Sequence, residues 1–303
     1  MRRVPQIAFL SGGRRLHLQD GPIDLIVEAC GSETDVRAAY VAAARHFDGL
    51  LDELCDELPT LRAAADPARC LLKGSVARRM HAAVAPFAAD HFITPMAAVA
   101  GAVAEEILGA MLREARLHRA YVNNGGDIAL HLAGEEQFTV GLMDRPDRRG
   151  LMQTMIIDAD DPSRGVATSG RHGRSFSLGI ADAVTVLART ASKADAAVTI
   201  IANAVDLPGH PGIARCPAQD LQPDSDLGAR LVTRDVGELS ADEIDDALEA
   251  GAACARQLLA TGLIDGAALR LQGETVVVAS RAIETPRRKT AFNSDTKEDV
   301  MHA

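Results

Sequence analysis

Between Arg119 and Leu187 the chain is cut into short runs of strand-favouring residues by glycine, aspartate and proline: Ala120–Val122, Ile128–Leu132, Phe138–Leu142, Met155–Ile157 and Val184–Leu187. Runs this short, each ended by a turn signal, predict a sheet and leave little room for long helices in this stretch. The opening has the same texture. Ile7–Phe9, Leu16–Leu18 and Ile23–Val27 are separated by Ser11-Gly12-Gly13 and Asp20-Gly21-Pro22, which predicts an antiparallel start.

Helical periodicity lies around these runs. Val36, Tyr40, Ala43, Phe47, Leu51, Leu54 and Leu58 recur at three or four residues, predicting one helix from Thr34 to Leu58 that Pro59 stops. A second helix is expected to start at Thr94-Pro95, with Thr94 as N-cap and proline at the first helical position, and to run through Val99, Val103, Ile107 and Met111. Its Ala/Gly-rich face permits close packing. A third covers Ala194–Ala204, followed by a Pro/Gly/Asp-rich connection from Pro208 to Gly228. Ser240 with Glu243 forms a capping box for a fourth reaching about Leu259, and Leu269–Ala279 reads as a hairpin around Gln272-Gly273.

With 303 residues, 47% of them hydrophobic, the chain can bury one large core or two modest ones. A net charge of -10 and 3% aromatics remove both the basic footprint and the stacking surface of a nucleic-acid binder. Five scattered cysteines without a C-x-x-C pair signal neither a disulfide framework nor a thiolate zinc site, and fit a reducing cytoplasm. No signal peptide is read, because Ser11-Gly12-Gly13 interrupts the apolar start. The apolar stretch Pro95–Ala104 ends in Glu105-Glu106, short of the roughly 20 residues that span a bilayer. Residues 1–281 read as one domain and 282–303 as a flexible charged tail, its Arg287-Arg288-Lys289 cluster being solvated charge. Ala/Gly-rich helices and sheet edges left to pair favour a homodimer.

Three segments could carry chemistry. Val122-Asn123-Asn124-Gly125-Gly126-Asp127-Ile128 either lets a ligand approach backbone amides or is a plain hairpin turn. Gly165–Ser175 groups hydroxyls, Arg171 and His172 in a glycine-rich stretch suited to an anionic oxygen, or is a flexible surface loop. It has neither Walker spacing nor a Gly-x-Ser-x-Gly elbow. In the third, a helix would line Asp195, Thr199 and Asn203 on one face, oxygen ligands suited to Mg²⁺; the plainer reading is an acidic residue favoured near a helix N-terminus. Asp158, Asp160 and Asp161 read as a solvated strand-end turn.

In their order and spacing, Asn-Asn-Gly-Gly-Asp (123–127), Ala-Thr-Ser-Gly (167–170) and Ala-Asp-Ala-x-x-Thr (194–199) resemble the ApbE family of FAD:protein FMN transferases. The chain is closer still to an uncharacterised bacterial and archaeal family related to ApbE, which shares the Pro-Met-Ala-Ala-Val-Ala-Gly-Ala segment at Pro95–Ala102. The resemblance implies an α+β fold of the T-fold type, with antiparallel sheets packed with helices and two related subdomains. It implies FAD or FMN held beside Mg²⁺, with FMN passing to a hydroxyl of an acceptor protein as AMP leaves. Asp195 and Thr199 would be metal ligands, with Asp182 as the alternative carboxylate. Asn124, Gly125, Gly126 and Asp127 would line the nucleotide pocket, with Thr168, Ser169 and Gly170 close to it.

Two departures accompany the likeness. The transferases carry Ala-Lys-Gly where this chain has Val99-Ala100-Gly101, and their His-x-x-Asp-Pro-x-x-Gly element is missing, so His172 is the histidine left to serve as a catalytic group. Lost charge at a leaving diphosphate can abolish a reaction and leave a pocket. The alternatives to a transferase are therefore a non-catalytic binding or accessory protein for a small anionic or planar ligand, and an enzyme of another kind on the same scaffold acting on a pterin-like or other planar substrate.

Overall fold

Turn chemistry sets the order of the first strands. In the computed structural model, which describes residues 4–143, 151–279 and 300–302, Gly12 and Gly13 adopt positive φ between β1 (Gln6–Phe9) and β2 (Leu16–Asp20), and Gly21 does so before β3 (Ile23–Gly31). The opening is antiparallel, as predicted.

The predicted helix over Thr34–Leu58 is three elements: α1 (Glu33–Phe47), α2 (Leu50–Asp56) and α3 (Leu58–Leu61). Gly49, at φ 89°, takes the left-handed conformation that breaks the first run, and Pro59 lies in the first turn of α3, where its missing N–H costs nothing. A helix not foreseen, α4 (Ser75–Val84), follows. Pro95–Ala98 is a 3₁₀ turn leading into α5 (Val99–Glu114), and Thr94 makes no side-chain cap bond.

Then come β4 (Leu117–Asn124), β5 (Asp127–Leu132), β6 (Gln137–Met143), β7 (Leu151–Asp158), β8 (Gly165–Ser169) and β9 (Ala183–Ala188). The expectation of a loop at 165–175 thus gives way to a strand over its first part. A Cβ on Gly165 would lie 2.1 Å from the Thr190 carbonyl carbon, so glycine here marks a close backbone approach. After α6 (Ala191–Ala204), the region read as connection contains β10 (Ile213–Pro217) and α7 (Ala218–Leu221), and β10 pairs with β11 (Leu231–Val236). The capping box forms as predicted at the start of α8 (Ala241–Ala260). The closing hairpin is β12 (Gly266–Leu271) and β13 (Glu274–Ala279), turning on Gln272 and Gly273, both at positive φ. Residues 280–299, most of the sequence read as a tail, lie outside the described residues, and Val300–His302 forms β14, parallel to β6.

The protein is a mixed α/β chain of antiparallel sheets and helices that divides into two compact units. One unit comprises the chain up to Gln137 with Ile157–Ala167 and Arg189–Asp195. In it, strands run in the order β1-β2-β3-β4-β5-β8, each antiparallel to its neighbour. Leu18, Leu25, Val27 and Val122, all fully buried, mark its core face, on which α5 and α1 pack, with α4 against α5. Pro95–Glu114 is long and apolar enough to cross a membrane by length and composition, more than the Pro95–Ala104 stretch suggested; Ala102, Val103, Ile107 and Met111 are fully buried in the protein. The other unit comprises Phe138–Ile156, Thr168–Ala188 and the chain from Ala196. It holds the antiparallel set β9-β12-β13, with α8 packed on β12 and β13, the β10-β11 pair, and the three-stranded β14-β6-β7 sheet.

Candidate functional site

Within the first unit, three of the singled-out segments converge on the N-terminus of α5. The β4-β5 hairpin closes on Gly125 and Gly126, at φ 69° and 115°, conformations that side chains other than glycine rarely adopt. Directly paired residues share a sheet face, so the register Leu25↔Asn124 and Asn124↔Asp127 turns both polar side chains to the helix-covered face with the buried Leu25. The adjacent asparagines divide the work. Asn123 Oδ1 accepts the Gly126 amide at 2.8 Å and holds the turn, whereas the buried Asn124 donates from Nδ2 to the Ala100 carbonyl at 3.2 Å.

Asp195, in α6, accepts the Gly101 amide on Oδ2 at 2.9 Å and is also bonded by the Ala100 amide. It therefore caps α5 from outside, satisfying two of the amides that a helix start leaves open. Gly101 makes this approach possible, because a Cβ there would lie 2.3 Å from the Ala191 carbonyl oxygen. Burial first, and then the charge of Asp127, push the Asp195 carboxyl well above the usual carboxylate range; Glu105 adds to this, and the two amide bonds oppose it.

Glu105, which sequence reading took only as the end of an apolar stretch, returns the favour: its Oε1 accepts the Ser192 amide in the first turn of α6 at 2.6 Å. Arg79 of α4 lies 3.1 Å from Glu105 Oε2 and 2.6 Å from Glu106 Oε2, and His46 Nε2 lies 2.8 Å from Glu106 Oε1. Burial works against ionisation of Glu106, but the bonds from Arg79 and His46 outweigh it and hold its carboxyl below the ordinary value. The signal available in the sequence was a pair of acidic residues inside an otherwise apolar helix.

The second unit holds the other predicted residues. Thr168 and Ser169 end β8, Thr168 Oγ1 lies 2.9 Å from Thr185 Oγ1, and a Cβ on Gly170 would lie 2.3 Å from the Asp182 carbonyl oxygen. Asp182 takes Arg171 on Oδ1 through Nε at 2.8 Å and Nη2 at 2.7 Å, His172 Nε2 at 3.2 Å, and the Gln272 amide on Oδ2 at 2.6 Å. Of the two carboxylates left open by the sequence, Asp182 is thus engaged by a guanidinium and Asp195 by helix amides. Thr199 lies one turn beyond Asp195 on α6. Among the described residues no group of three or more His, Cys, Asp or Glu side chains could hold a metal ion. In the first unit, Asp158, Asp161 and Arg164 tie off the turn after β7, as the aspartate cluster suggested.

A UPF0280 protein of Methanopyrus kandleri is 37% identical over 194 residues, which covers 59% of this chain and 69% of that protein. UPF0280 proteins of Methanococcoides burtonii and Methanococcus vannielii are 38% and 41% identical over 130 and 114 residues. Those matches cover 40% and 37% of this chain and 49% and 45% of theirs, so the chain spans about half the length of these two relatives. Residues 7–277 match the family model described as AbpE bacteria, and the protein belongs to that family.

Proposed function

We propose that this protein holds a flavin or related nucleotide beside a divalent cation, with Asp195 and Asp127 as the carboxylates of the cation site, in the manner of the ApbE transferases its motifs resemble. One observation carries the reading: Asp195 is buried, and the carboxylate of the half-buried Asp127 is near enough to raise it, a like-charged arrangement that a hard cation relieves. Carboxylate oxygens fit Mg²⁺, and the motif resemblance would add the Thr199 hydroxyl as a ligand. When bound, such a cation would neutralise charge on a diphosphate. Gly125 and Gly126 close the hairpin at positive φ, Asn124 fixes it against α5, and Asp195 is oriented by the Gly101 amide. The same resemblance supports a T-fold with two related subdomains, while the scattered cysteines support a cytoplasmic setting and the Ala/Gly-rich helices and sheet edges a homodimer, as parts of this proposal.

The test is a titration of FAD, followed by its fluorescence, with and without Mg²⁺. Mg²⁺-dependent binding that Asp195→Ala abolishes supports the site; no binding in either condition, or affinity unchanged by Asp195→Ala, overturns it.

A second reading, binding without chemistry, is favoured by His172. It stands with Arg171 against Asp182, and α5 offers Ala100-Gly101 where the transferases have a lysine. AMP release from FAD in the presence of a hydroxyl-bearing acceptor would refute it.

A further inference from the structure

Arg79 grips two consecutive carboxylates of α5, Glu105 through Nε and Glu106 through Nη1, while its Nη1 also donates to the Ala102 carbonyl at 3.4 Å. Both acids are mostly withdrawn from water, their side chains 18% and 8% exposed. Adjacent carboxylates in that setting repel, and without a guanidinium between them the more accessible Glu105 gains by turning outward. Inward, it has one task that no neighbour on α5 shares: Oε1 accepts the Ser192 amide at 2.6 Å. Ser192 is 3% exposed, and Asp195 follows it by three residues, less than one turn of α6. The Thr190 hydroxyl is a weaker support for this turn, 3.4 Å from the Lys193 amide.

We propose that Arg79 is a positioning residue for Asp195: by holding Glu105 against Ser192 it fixes the first turn of α6, and so the place of the Asp195 carboxylate at the N-terminus of α5. Its value for ligand binding rests on the reading that Asp195 belongs to a cation site. Its structural part stands on the bonds alone. Arg79 touches no proposed ligand and acts through Glu105. His46, the other partner of Glu106, lies outside this path because, among the described residues, Glu106 bonds Arg79 and His46 and not α6.

The experiment uses the full chain with Arg79→Met, Arg79→Lys and His46→Gln. It reads amide hydrogen exchange at Ser192 and Gly101, and FAD affinity with and without Mg²⁺. Arg79→Met is expected to speed exchange at both amides while those of β12 stay protected, and to weaken Mg²⁺-dependent FAD binding about 10-fold or more, as loss of an outer-shell partner commonly does. Arg79→Lys keeps the charge without the fork and recovers part of both effects; it carries the same test if Arg79→Met does not fold. His46→Gln is expected to lower stability and leave both amides unchanged. Unchanged exchange at Ser192 and Gly101 in the Arg79 variants overturns the proposal, whatever the flavin result. Responsive amides in a protein whose wild type binds no FAD support the placement of Asp195 and sink the flavin reading instead.

Discussion

Asp195 and Glu105 cap each other's helices: the α6 carboxylate accepts the Gly101 amide of α5 at 2.9 Å, and the α5 carboxylate accepts the Ser192 amide of α6 at 2.6 Å. Each acid lies at the positive end of the partner helix, where a negative charge is stabilised. The two roles of Asp195 pull in opposite directions. Capping favours its ionised form, whereas burial and Asp127 favour the neutral one.

Replacing Asp195 therefore separates the hydrogen bond from the charge. Asp195→Ala leaves buried amides of α5 without their acceptor and is expected to cost about 1–3 kcal/mol in urea unfolding. Asp195→Asn keeps an acceptor and is expected to be near neutral without Mg²⁺. The pH dependence follows in sign. A carboxyl that titrates above its ordinary 3.8 when folded contributes most below that pH and loses ground as pH rises through its folded value. The wild type should thus fall relative to Asp195→Asn as pH rises, and Mg²⁺ should stabilise only the wild type; parallel pH curves would refute this.

Two glycines of α5 are expected to respond in opposite directions to alanine. At Gly101 the new Cβ meets backbone, 2.3 Å from the Ala191 carbonyl oxygen, and overpacking of that kind should cost about 3 kcal/mol. At Gly109 the nearest atom is the flexible Arg113 guanidinium at 3.4 Å, so Gly109→Ala should gain up to about 1 kcal/mol from helix propensity. Denaturation midpoints measure both, and equal shifts would show that the α5/α6 approach is looser than described.

Local signals were the legible ones. The capping box Ser240/Glu243, the Gln272-Gly273 hairpin and the Gly-Gly turn at 125–126 each have a mechanism confined to a few residues, and each formed as read. What escaped depends on distant backbone. Gly165 looks like a loop residue because nothing in its neighbourhood shows that Thr190 and Ala191 press on it, so β8 went unread. In the candidate site the acid on α6 was legible as a helix-face carboxylate. Its partner Gly101, and the Glu105 and Arg79 side chains that hold the first turn of α6, lie about ninety residues or more away in sequence and come together only once α4, α5 and α6 meet.

The capping box of α8 should respond to acid. Amide and hydroxyl bonds from Ser240, and His210 at 2.8 Å, hold the Glu243 carboxyl down to about 2 against an ordinary 4.5. A depressed folded value means that its contribution is complete above 4.5 and is lost as pH falls toward 2. Glu243→Gln should therefore be less stable than wild type at neutral pH and converge on it in acid; a gap that stays constant would contradict the assignment. Ser240→Ala should cost about 1 kcal/mol, as loss of an N-cap commonly does.

Asp182 and His172 allow a last distinction, between a group placed for chemistry and one placed for structure. Asp182 receives two guanidinium bonds, the Gln272 amide and His172, with its side chain only 10% exposed, so Asp182→Ala strands a mostly buried Arg171 and should cost about 3 kcal/mol. His172 is the most peripheral of these partners, at 3.2 Å and 21% exposed, and His172→Gln should cost under about 1 kcal/mol because Arg171 remains. If flavin transfer is measured, the two variants then part company: a catalytic His172 predicts lost turnover in a protein of nearly full stability, whereas a structural one predicts turnover that follows stability in both.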